Sequence, residues 1–71
     1  MDERYYLSML KNEPTVLTVL DLSRILRIGK NKAYELVNSG KISSIKINGK
    51  IIIPKLRLVQ FLSNENNYQK L

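Results

Sequence analysis

The dipeptide Asn48-Gly49, set between Ile45-Lys46-Ile47 and Lys50-Ile51-Ile52-Ile53, leaves this chain the fewest folding alternatives. Both residues tolerate the positive φ that a type I′ turn requires at its two central positions, and the β-branched residues on either side favour extended strands. A β-hairpin is therefore expected. Its register stays open. A two-residue loop puts Ile45 and Ile52 on one face and Ile51 and Ile53 on the other, whereas a three-residue loop gathers Ile45, Ile47, Ile51 and Ile53 together.

Upstream, apolar residues recur at helical rather than strand spacing. Val19, Leu22, Ile25 and Leu26 follow the i, i+3, i+4 rule, with Asp21, Arg24 and Arg27 on the outer face, and Thr18 offers an N-cap oxygen. Gly29 permits a tight turn, after which Ala33, Leu36 and Val37 repeat the stripe as far as Gly40, a natural C-terminal stop. Two short helices joined by a tight turn form the helix-turn-helix pattern, in which the second helix presents its N-terminal residues to base edges. An ordinary αα-hairpin is the competing reading of the same two stripes.

The flanks complete the expectation. Tyr6, Met9 and Leu10 suggest a short helix within Arg4 to Lys11, stopped by Pro14, and Thr15-Val16-Leu17 suggests a brief strand. Pro54 suits the first turn of a last helix carrying Leu58, Phe61 and Leu62. The expected fold is α+β: a small winged helix-turn-helix domain over 15–63 with two HTH helices, a β-hairpin wing and a C-terminal helix. Residues 1–14 precede it as an N-terminal segment, and 64–71 follow as a polar, frayed tail.

At 71 residues the chain is a single domain, and without cysteine it depends on packing for stability. The N-terminus opens on Asp2, Glu3 and Arg4 with no basic n-region, and no apolar run is long enough to span a membrane, so a cytoplasmic location, nucleoid-associated when bound, is expected. There is no histidine, and the six acids Asp2, Glu3, Glu13, Asp21, Glu35 and Glu65 are scattered, so neither catalysis nor a metal, cofactor or small-molecule substrate is expected.

Charge points to a polyanion. Of the net +6, residues 21 to 57 hold nine basic against two acidic side chains, while the two ends are nearly neutral. A solvated lysine-rich surface would show the same excess, but here it coincides with candidate groove-reading elements. With the apolar stripe inward, the second helix turns Asn31, Glu35 and Asn38 outward, flanked by Lys32 and Tyr34, and Lys30 projects from its first turn. Such a helix, roughly 14 Å long, matches a major groove about 12 Å wide. Asn31 suits adenine and Lys32 guanine. Glu35 can accept from cytosine or pair with Lys32, and Tyr34 is either a contact or partly core. Lys46 and Lys50 flank the tip Asn48-Gly49, where a backbone can approach phosphate, and Arg24, Arg27 and Lys41 extend the basic set.

Leu17-Thr18-Val19, the run Leu26 to Leu36, Gly40-Lys41-Ile42 and Ile53-Pro54 together resemble the excisionase-type helix-turn-helix family, relatives of the MerR winged helices. The resemblance is to excisionases of conjugative transposons especially, whose Arg-Ile-Gly-x-Asn-Lys run matches Arg27 to Lys32. Gly29 stands where serine is usual and Glu35 where a basic residue is frequent. The resemblance implies a protein that binds repeated double-stranded DNA sites near the ends of a mobile element and bends them. Its partners would be a tyrosine recombinase and further copies of itself on DNA. It also implies Lys30, Asn31, Lys32 and Tyr34 in the major groove and Lys46, Asn48, Gly49 and Lys50 on the wing. Two alternatives use the same residues differently: a transcriptional regulator of a mobile element, or a protein interaction module binding its partner through Tyr5, Tyr6, Met9 and Leu10.

Overall fold

A computed structural model describes residues 3–64. The chain runs α1 (Glu3–Met9), β1 (Val16–Leu17), α2 (Val19–Leu26), α3 (Lys30–Asn38), β2 (Ile45–Ile47), β3 (Lys50–Pro54) and α4 (Lys55–Ser63). The α+β, winged helix-turn-helix expectation is met by four helices around a small antiparallel sheet of order β1-β3-β2. Beyond Asn64 the expected polar tail lies outside the described residues.

Each boundary has a local cause. Thr18 caps α2 in a full capping box: its hydroxyl accepts from the Asp21 amide at 3.1 Å, and the Asp21 carboxylate accepts from the Thr18 amide at 2.9 Å. Helix α3 ends at Asn38 with Ser39 as its C-cap, and the next residue, Gly40, takes a φ of 81° that is easily reached only without a side chain. Pro54 closes β3 and serves as the N-cap of α4, one position earlier than the first-turn site expected of it.

The hairpin takes the two-residue loop. Ile45 faces Ile52, Lys46 faces Ile51 and Ile47 faces Lys50, with φ of 50° and 80° at Asn48 and Gly49. Ile53 points inward and is fully buried, with Ile51 packed beside the core, while Ile45 and Ile47 stay half-exposed on the other face. Strand β1 decides the matter by pairing Leu17 with Ile53 and Val16 with Pro54, which ties the entry to α2 directly to the wing strand.

One apolar cluster joins every helix. It includes the expected Val19, Leu22, Ala33, Leu36, Val37, Leu58, Phe61 and Leu62, with Ile42 and Val59 added. Tyr6 and Leu10 belong to it as well, so the first helix is packed into the domain, and of the four residues offered as a partner surface only Tyr5 and Met9 remain exposed. Lys55 locks this end: its ammonium donates to the carbonyls of Leu10 and Glu13 at 3.3 and 3.0 Å, and its amide donates to Thr15.

The turn between α2 and α3 departs from expectation in one respect. Its left-handed residue is Arg27, with φ of 56°, whereas Gly29 sits in extended backbone at φ −65° and N-caps α3 without a side-chain bond. A Cβ at Gly29 would meet nothing within 4 Å. Gly29→Ser should therefore supply the missing cap and restrict the unfolded chain, raising stability by about 0.5 to 1 kcal/mol. Thermal melts would show this as a higher midpoint; a lower one would contradict the geometry described for the turn.

Candidate nucleic-acid interface

The turn that aims α3 is pinned from α2. The Ser23 carbonyl accepts from the amides of Arg27 and Ile28, and the Ser23 hydroxyl donates back to the Ile28 carbonyl at 2.6 Å. These bonds hold Arg27 in its left-handed conformation and fix where Lys30 and Asn31 begin the next helix. Ser23 was not singled out from the sequence. Its signal is a small hydroxyl residue in the last turn before a tight connection.

Helix α3 buries Ala33, Leu36 and Val37, which leaves Lys30, Asn31, Glu35 and Asn38 exposed along the outer side. Lys32 is half-buried and forms an ion pair with Glu35 at 3.5 Å, the intrahelical alternative weighed for Glu35. Tyr34 lies at the margin of the core, 37% exposed. Arg27 is exposed at the turn and Lys41 just past Gly40.

The wing tip places Asn48 and Gly49 at its end, and both are exposed. Strand alternation in the observed register puts Lys46 on the face shared with Ile51 and Lys50 on the face shared with Ile47. The two lysines therefore stand on opposite sides of the hairpin, so it is charged on both faces near its tip.

Arg24 is arranged differently from the other cations. Its guanidinium donates to both carboxylate oxygens of Glu13, at 2.7 and 3.1 Å, and lies 3.5 Å from Asp21. These two acids offset its charge. The hydrogen bonds from Arg24 hold the Glu13 carboxyl below its ordinary value, and the backbone bond from Thr18 does the same for Asp21. Arg24 is shifted upward by Glu13 in return. Glu13 lies eleven residues from Arg24, a separation that no local pattern signals.

Lowered carboxyl values make this cluster acid-sensitive. Its contribution is complete above the ordinary values of 4.5 for Glu13 and 3.8 for Asp21, and is lost as pH falls through the lowered folded values. Urea midpoints should therefore decline on acidification below about pH 5, and Glu13→Gln should flatten part of that decline. The effect should be small because the pair is exposed. An identical pH profile for the variant would remove Glu13 from the account.

A family model described as a helix-turn-helix domain matches residues 16–66, which takes in every element from β1 to α4. A curated protein named Excisionase, from Streptomyces ambofaciens, is 31% identical over 52 residues, covering 73% of this chain and 84% of that protein. No solved structure matches. Among the described residues, no helix is long and apolar enough to cross a membrane. The residue-16 start of the family match coincides with β1, the strand that ties the entry to α2 to the wing. With the pinned turn, the polar outer face of α3 and the lysine-bearing wing all inside the matched span, the chain belongs to the excisionase-type helix-turn-helix family.

Proposed function

We propose that this protein is a sequence-specific double-stranded DNA-binding protein of the excisionase kind, a recombination directionality factor. It binds and bends the end DNA of a mobile element so that a tyrosine recombinase can assemble for excision. The observation that carries the reading is the pairing of a nine-residue helix with an exposed polar outer side and a hairpin charged on both faces near its tip. The name of the Streptomyces relative supports the recombination role. The contribution is binding and deformation energy, without bond chemistry.

Lys30, Asn31, Lys32, Tyr34, Glu35 and Asn38 face the major groove. Lys46, Asn48, Gly49 and Lys50 take the wing contacts, and Arg27 and Lys41 reach phosphate. Arg24 contributes least, because Glu13 and Asp21 already hold it. One short recognition helix reads few base pairs, so several copies act side by side on repeated sites.

A salt titration of binding to the flanking DNA of the encoding element tests this. About six phosphate contacts should give a slope of log affinity against log salt near −5, and Lys50→Ala should lower its magnitude by about one. A flat dependence would overturn the proposal. Bending is read separately, from the mobility of complexes with the site placed at the middle or the end of a fragment.

A further inference from the structure

Between the first turn of α2, the side of α3 and the wing runs a groove of about 500 Å³, lined by Thr18, Val19, Leu20, Tyr34 and the stretch from Gly49 to Ile52. It exists because β1 is short. After Leu17 pairs with Ile53 the chain turns at Thr18 into α2, so β3 from Lys50 to Ile52 has no strand beside it on that side among the described residues.

The walls are apolar in places where solvent would favour polar groups. Leu20 lies off the buried stripe of α2 and is 60% exposed, and Tyr34, 37% exposed, lines the same space from α3. Lys50 is the cation among the lining residues, and no acidic side chain lines the groove. The α2 terminus offers no ready anion site at this wall, since the Asp21 carboxylate and the Thr18 hydroxyl already occupy it. An apolar trough with a lysine at its rim, lying between the helix and the wing that carry the proposed DNA contacts, has the chemistry of a sugar-phosphate strand. The C–H faces of deoxyribose fit the walls and a phosphate fits the rim.

We propose that this groove seats one strand of the duplex through its deoxyribose faces, with Leu20, Tyr34 and Ile52 as contact residues and Lys50 on the adjoining phosphate. The inference rests on the duplex-binding reading above and adds a sequence-independent apolar component to it. A sugar contact removes apolar surface from water without releasing counterions, so it raises affinity without steepening the salt dependence. The groove also disfavours ribose, because a 2′-hydroxyl pressed against leucine and isoleucine side chains would lose its water without gaining a partner.

The test uses the full chain and a mixed-sequence DNA duplex, with affinity measured across a salt series. Leu20→Ala should weaken binding about five- to tenfold, as for partial burial of one leucine, with the salt slope and the melting temperature unchanged. Ile52→Thr, which keeps a β-branched residue in the strand, should act in the same direction. If both variants bind like the parent while Lys50→Ala still lowers the slope, the groove contact is overturned and duplex binding stands. If the parent itself does not bind the duplex, the functional reading fails with it. Leu20→Ala that leaves DNA affinity intact but abolishes binding of the apolar dye anilinonaphthalene sulfonate would assign the groove to a small ligand and overturn the proposal.

Discussion

Ile53→Ala is expected to lower the free energy of unfolding by about 2 to 5 kcal/mol, from the lost transfer energy of the side chain and the cavity left behind. Ile53 is fully buried and pairs with Leu17, and the strand that carries it runs from the wing tip to the start of α4. One substitution therefore loosens the entry to α2, the wing and the last helix together. At about 0.05 to 0.15 kcal/mol per residue, a chain of this length is stable by roughly 4 to 10 kcal/mol, so the loss consumes a large share. Urea denaturation should show a lower midpoint at an unchanged slope. Ile45→Ala, on the exposed face of the same hairpin, should stay within about 0.5 kcal/mol. Equal losses at Ile45 and Ile53 would mean that the hairpin is not in this register.

That contrast marks where sequence reasoning stopped. Helical stripes were legible because Leu22, Leu36 and Leu58 each recur with neighbours at a period that only a helix satisfies, and Asn48-Gly49 fixed the hairpin through its need for positive φ. The register was not legible, because Ile51-Ile52-Ile53 supplies an apolar residue to either face. Only the contact with Leu17, thirty-six residues away, selects one. The turn lies where Gly29 suggested, but its left-handed residue was not legible for a similar reason: glycine is the usual choice, yet bonds from Ser23 hold Arg27 there and leave Gly29 extended. At the candidate site the outward face of α3 followed from periodicity, whereas the state of each charge did not. Arg24 looked like any other basic residue until the fold brought Glu13 against it, and Leu20, which is not part of the apolar stripe of α2, gains a role to test only from the groove beside the short β1.

Asn31→Ala should separate base reading from simple attraction. Asn31 stands exposed in the first turn of α3, the end of a recognition helix that approaches base edges, and a carboxamide can pair bidentately with adenine. Truncation removes that pair while leaving every cation in place. Affinity for the recognised site should fall by about 1 to 3 kcal/mol, binding to unrelated duplex should change little, and the salt slope should hold. Lys50→Ala should do the reverse, weakening all duplexes alike and lowering the slope by about one. Measuring both variants on a recognised site and on a copy with one adenine replaced resolves the two effects. If Asn31→Ala weakens every duplex equally, α3 is held against the backbone and its specificity comes from elsewhere. If only the adenine-dependent part disappears, the Asn31 carboxamide reads that base, from the first helical turn after the connection pinned by Ser23.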